Sequence, residues 1–99
     1  MPEKTIFKEE IKDEIKTPRM YRVILLNDDY TTMEFVVKIL MSVFNKNSVE
    51  AEKIMLDVHY KGKGIVGIYT YDIAKTKIIS VEKIARSEEY PLKAIMEEE

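Results

Sequence analysis

Ninety-nine residues are enough for one domain around one core and too few for two. Hydrophobic residues make up 45% and charged residues 34%, and a formal charge of −2 provides no basic field for nucleic acid. The absence of cysteine excludes a disulfide framework and a thiol nucleophile, and no apolar run has the length of a membrane span or signal peptide, so a cytoplasmic protein is expected.

The chain opens with a tail, Met1 to Pro18, in which Lys and Glu alternate with isolated Phe7, Ile11 and Ile15. Their four-residue spacing fits a transient amphipathic helix, but one such stripe holds no stable helix alone, so a flexible extension is expected over 1–18 and a core domain over 19–99. The first element, Tyr21 to Leu26, is a β-branched and aliphatic run that reads as a buried strand. Asn27-Asp28-Asp29 ends it with side chains that bond to nearby backbone. Thr31-Thr32-Met33-Glu34 then fits a capping box, Thr31 as cap and Glu34 three residues on. It predicts a helix to about Phe44 with Val36, Leu40, Val43 and Phe44 inward.

After the loop Asn45 to Ser48, Asn47 with Glu50 offers a second cap, and Ala51, Ile54, Met55 and Val58 share one face of a helix stopped by Gly62. Ile65 to Thr70 reads as a second strand. A third helix is predicted from Asp72 to about Ser87, with Ala74, Ile78, Val81 and Ala85 inward. Tyr90-Pro91 breaks it, and Leu92 to Met96 is short enough for an edge strand. The order strand, helix, helix, strand, helix, strand predicts an α/β (α+β) two-layer sandwich: a small three-stranded antiparallel sheet with three helices on one face.

Catalysis is poorly supplied, with one histidine, three glycines and no phosphate-cradling glycine pattern. A different chemistry is better represented. Met55, Val58 and His59 share one face of the second helix, and Met33 and Val36 are three apart at the start of the first. If the two helices pack as a hairpin, these Met and Val side chains face one another, rimmed by Asn27, Asp28 and His59. An apolar floor beside such a rim suits a ligand with one hydrophobic group next to one cation. A free protein N-terminus is such a ligand: its ammonium has only donors and needs acceptors, which a carboxylate, an amide oxygen and a neutral imidazole provide. Each feature also has a plainer reading. Asn-Asp-Asp after a strand is a common turn signal, a lone His is commonly structural, and Met and Val at helical spacing commonly fill a core. A metal site of Asp28, Asp29 and His59 lacks a ligand-spacing motif. An interaction module binding through a helix surface and an aminopeptidase are the rival functions.

Three blocks carry a resemblance that chooses among these readings. Tyr21-Arg22-Val23-Ile24-Leu25-Leu26-Asn27-Asp28-Asp29-Tyr30-Thr31-Thr32-Met33-Glu34-Phe35-Val36 closely resembles the signature of the ClpS adaptor family. Ile54 to Gly64, which contains His59, resembles that family's histidine-bearing helix, and Thr70 to Lys77 also looks like the family. The likeness runs from Met20 to the C-terminus and leaves out the tail. It implies a non-enzymatic adaptor without cofactor or metal. Such an adaptor binds substrates beginning with Leu, Phe, Tyr or Trp (N-degrons), passes them to the N-terminal domain of the AAA+ unfoldase ClpA of the ClpAP protease, and so modulates that protease's choice of substrate. No nucleic acid or membrane partner is implied, and a monomer suffices. Carried over residue by residue, the resemblance implies that Asn27, Asp28 and His59 hold the α-amino group. Met33, Val36, Met55, Val58 and Leu92 then line the side-chain pocket, with Met33 as a gate against β-branched first residues. Asp72 and Lys77 fall where the family contacts ClpA. Two positions depart from the pattern: Thr32 stands where proline is common, which softens the helix start, and Asp72 stands where the longer Glu is common.

Overall fold

A computed structural model describes residues 17–99. The expected extension, Met1 to Pro18, lies outside the described residues except for Thr17 and Pro18. The elements are β1 (Met20–Leu26), α1 (Met33–Ser42), α2 (Ser48–Lys61), β2 (Lys63–Thr70), α3 (Tyr71–Ser87) and β3 (Lys93–Glu98). The expected order is observed, and so is the antiparallel sheet, with strand order β2-β1-β3.

The continuous apolar run of β1 is explained by its central place. Alternate residues of a strand face opposite ways, so Val23 and Leu25 meet the helices while Ile24 looks out of the other face. Ile24 is nonetheless only 2% exposed, because its register partners Ile65 and Ile95 flank it on that open face. On the helix side Leu25 is paired with Gly64 on β2 and Ala94 on β3. Small residues beside a large one let a helix approach closely. Val66, two residues on from Gly64, faces the core by the same alternation, and the bulge in β2 between the partners of Val23 and Ile24 shifts that alternation so that Tyr69, not Ile68, packs on the core next.

The helices stack on that face. α3 crosses all three strands, α2 packs on β2, and α1 packs on α2. Ala74, Val81 and Ala85 of α3 are buried as expected, while Ile78 is half-buried. From α1, Phe35, Val36, Ile39 and Leu40 enter the same core as Val23 and Leu25. The α2 start follows the sequence closely. Asn47 accepts from the Glu50 N–H at 2.8 Å while the Glu50 carboxylate accepts from the Asn47 N–H at 3.3 Å, which is a complete capping box. Its end is also as expected, at Gly62 with φ +87°.

The cap of α1 corrects the sequence expectation by one residue. Thr32, not Thr31, is the cap, its hydroxyl oxygen accepting from the Phe35 N–H at 3.1 Å. Thr31 is taken by Asp28 instead, to which its own hydroxyl donates. Two adjacent threonines offer the same local chemistry, and the turn before the helix decides which one caps it. Glu34 stays in the first turn, favourably placed at the positive end of the helix dipole.

Candidate functional site

The site is built where β1 ends. The Asn27 backbone N–H donates to the Gly62 carbonyl at 2.9 Å, and the Gly62 N–H donates to the Val58 carbonyl at 3.1 Å. This pair of bonds ties the loop after β1 to the last turn of α2. It brings Asn27 and Asp28 to the end of the domain that carries His59. Both Asn27 and His59 are exposed, and the His59 ring rests edge-on against Tyr60 with centroids 4.7 Å apart.

Asp28 is the organised member of the group. One carboxylate oxygen accepts from the Tyr30 N–H at 2.8 Å and the Thr31 N–H at 2.6 Å, and the other accepts from the Thr31 hydroxyl at 2.6 Å. Partial burial pushes the Asp28 carboxyl up, but the Thr31 hydroxyl, the two backbone N–H groups and the positive charge of Arg86 together outweigh it. The net effect holds Asp28 below its ordinary value of 3.8. The side chain is therefore a fixed negative charge at neutral pH. A carboxylate offers about four lone-pair sites. With three used by the turn, one remains for a ligand.

Arg86 shapes the other border. Its guanidinium donates to the carbonyls of Tyr90 at 2.8 Å and Leu92 at 3.3 Å, which clamps the segment leading into β3. Between that segment and the β1 end lies a small cavity of ≈ 120 Å³, lined by Leu26, Asn27, Asp28, Pro91 and Lys93.

The apolar residues divide into two sets. Val36, Met55, Val58 and Leu92 all belong to the one buried cluster, Leu92 being 1% and Val58 2% exposed. Met33, by contrast, is 37% exposed. Met33 and Met55 together line an open groove of ≈ 450 Å³ along the α1–α2 seam, whose other walls are Glu34, Val37, Ser48 and Glu52. Five residues were expected around a side-chain pocket; two face this groove, and Val36, Val58 and Leu92 lie in the packed interior.

Asp72 is exposed in the first turn of α3. Lys77 is not a freely presented charge. Its ammonium donates to the Val43 carbonyl at the C-terminus of α1 (2.9 Å) and lies 5.7 Å and 5.5 Å from the ring centres of Phe44 and Tyr69.

Sequence reasoning gave no site role to Thr31, Arg86 or the groove walls Val37, Ser48 and Glu52. Val37 follows Met33 by four and Glu52 precedes Met55 by three, so helical spacing placed both beside residues already singled out. Arg86 carried no local signal, because its partners are carbonyls. Among the described residues no three His, Cys, Asp or Glu side chains are grouped as a metal site requires, and no helix is long and apolar enough to cross a membrane.

Comparison with known proteins decides the family. The model of the ATP-dependent Clp protease adaptor protein ClpS matches residues 16–95. The chain belongs to the ClpS family. The ClpS adapter of Acetivibrio thermocellus is 63% identical over 99 residues, covering 100% of both chains, and that of Clostridium acetobutylicum is 58% identical over 97 residues, covering 96% of each. Among solved structures, Agrobacterium tumefaciens ClpS2 bound to L-phenylalaninamide superposes with a TM-score of 0.80 at 35% identity, covering 83% of this chain and 99% of that one. This ClpS chain is thus an adaptor of a Clp protease. Thr32 itself has φ −72° and caps α1 through its side chain.

Proposed function

We propose that this adaptor binds proteins by a free N-terminal Leu, Phe, Tyr or Trp and hands them to the ClpA unfoldase of ClpAP without chemistry of its own. The observation that carries the reading is the ionised Asp28 carboxylate, held in its turn with one acceptor site spare, at the end of the domain that also bears Asn27 and His59. An α-ammonium has three N–H donors. The remaining Asp28 site, the exposed Asn27 amide oxygen and a neutral nitrogen of His59 match that number.

The first side chain then enters between the helices. Met33 is partly exposed and shares the groove with Met55, and contact of the first side chain with Val36, Val58 and Leu92, which are buried in the free protein, requires Met33 to move aside. Burying a Leu or Phe side chain contributes roughly 1.5–3 kcal/mol, and each hydrogen bond to a charged group a similar amount. After the cost of association, two or three such bonds with one filled pocket reach about the micromolar range, near −8 kcal/mol. Neither half suffices alone, which suits an adaptor that must release its cargo.

The likeness to a relative solved with L-phenylalaninamide supports the choice of ligand, since that molecule is an amino acid with a free amine and a capped carboxyl. Fluorescence anisotropy tests it with a Phe-starting peptide, its N-acetylated form and an Ala-starting form. Binding by the first alone is expected; equal binding of all three would sink the reading. Mass spectrometry of the incubated Phe-starting peptide is expected to return it intact. Delivery is expected to use the surface around Asp72. Asp72→Arg weakens capture by the isolated ClpA N-terminal domain and leaves peptide affinity alone. Lys77 supports that surface by holding the end of α1 to α3.

A further inference from the structure

Among the described residues, the sheet is covered by helices on one side only. On its other side Ile65, Ile24 and Ile95 form a row across the three strands, and Ile68, paired with Arg22, lies in the next outward row. Ile65 is 55% exposed, Ile68 46% and Ile95 37%. Towards the end of β1 the patch is bordered by Lys63 and Lys93, the register partners of Leu26. Among the described residues, neither lysine is in an ion pair. The opposite border is mixed, with Arg22 beside Glu97. A few partly exposed isoleucines fall well short of the roughly 800 Å² per partner that a specific dimer buries, so a second copy of the chain is a poor occupant. A short amphipathic segment matches the patch better.

The chain carries such a segment before β1, where Phe7, Ile11 and Ile15 recur at every fourth position. At about 100° per residue these three make one helical stripe, with Glu10 and Glu14 along one border and Lys8 and Lys12 along the other. From Phe7 to Ile15 the stripe is about 12 Å long at a rise of about 1.5 Å per residue. The isoleucine row spans two strand spacings, about 10 Å. Ile15 and Met20 are separated by a link that reaches at most about 17 Å, and Ile24 stands about 14 Å along β1 from Met20. The link is therefore long enough to fold back, and Pro18 within it favours a turn over a continued helix.

We infer that Phe7, Ile11 and Ile15 dock as a helix across the open face of the sheet, with Glu10 and Glu14 against the Lys63–Lys93 border. One stripe holds no stable helix alone, and the isoleucine row supplies the apolar partner it lacks. This face lies opposite the α1–α2 seam, so the docked extension leaves the candidate site open, and the inference stands apart from what that site binds. A partner that uses the extension has first to displace it from the sheet.

The chain has no cysteine, so Asp13→Cys carries a single nitroxide label on the side of the stripe away from the sheet. In the full chain the label is expected to broaden the NMR methyl signals of Ile65 and Ile95 and to spare Ile39 and Ile79 in the helix layer. The triple variant Phe7→Ser, Ile11→Ser, Ile15→Ser is expected to lose that broadening while keeping its affinity for a Phe-starting peptide. Lys63→Glu with Lys93→Glu is expected to weaken the broadening, and adding Glu10→Lys with Glu14→Lys to restore it. Broadening that is absent, that survives the triple variant or that spreads evenly over both layers overturns the docking. Failure of the charge swap to weaken and then restore it overturns the assigned placement. Broadening passed from labelled chains to isotope-marked, unlabelled ones in a mixture puts a second copy on the face and overturns docking within one chain.

Discussion

Gly64 lies against Val58 and Ile54 of α2, and Gly64→Ala measures how tightly α2 packs on β2. A Cβ built on Gly64 would stand 2.8 Å from Cγ2 of Val58, 3.0 Å from the Ile54 carbonyl oxygen and 3.3 Å from Cγ2 of Ile54. A methyl group at van der Waals distance needs about 3.5–4.0 Å from carbon, so Val58 must recede by about 1 Å. The carbonyl belongs to α2 itself and cannot rotate away, so α2 has to lift from β2. Overpacking of this kind costs about 1–3 kcal/mol. For a domain of this size, about 2 kcal/mol lowers Tm by about 8–16 °C. Gly62→Ala, two residues earlier, gives the contrast. Nothing lies within 4 Å of its added Cβ, and the cost there is backbone strain at φ +87°, about 1 kcal/mol. Urea unfolding with circular dichroism reads both stabilities, and a Phe-starting peptide reads the site. Gly64→Ala is expected to lose stability and also peptide affinity, because Val58 moves. Gly62→Ala is expected to lose the smaller amount of stability. A Gly64→Ala protein as stable as wild type and binding equally well would refute the close α2–β2 packing.

Thr32→Ala removes the oxygen that caps α1 and is expected to cost about 1 kcal/mol by urea unfolding, whereas Thr31→Ala leaves that cap intact. For Asp28 the folded carboxyl lies below its ordinary value of 3.8, so its stabilising contribution is complete above that value and is lost as pH falls through the lower folded one. Acid unfolding followed below about pH 4 shows this dependence; Asp28→Asn removes that part of it, and an NMR titration of Thr31→Val shows the Asp28 carboxyl moved upward. Arg86→Ala releases the Tyr90 and Leu92 carbonyls, with an expected loss of about 1–2 kcal/mol in stability and a weaker grip on Phe-starting peptides as the Leu92 wall loosens. The same variant removes a positive charge from the surroundings of Asp28, so its carboxyl titrates higher.

The elements themselves were legible from residue to residue. Asn47 and Glu50 announced the start of α2, Gly62 its end, and the spacing of Ala74, Val81 and Ala85 the buried face of α3. All three are local effects, set by groups within a few positions of one another, and so a linear pattern reports them. The family likeness is of the same kind, carried by short blocks such as Asn27-Asp28-Asp29 and Val58-His59-Tyr60.

The tertiary structure decided what these residues touch. β1 could have been an edge or a centre strand; only its pairing with both β2 and β3 shows the centre, with Ile24 covered by Ile65 and Ile95. The competition between Thr31 and Thr32 for the cap was settled by Asp28, three residues upstream, once the turn had folded. The bond from Asn27 to Gly62 crosses 35 residues of chain and is what brings the two halves of the candidate site to one end of the domain. Met33 and Met55 border open space while Val36, Val58 and Leu92 are enclosed, although all are apolar. Burial depends on what packs above a side chain, and that is supplied by segments far away in the sequence.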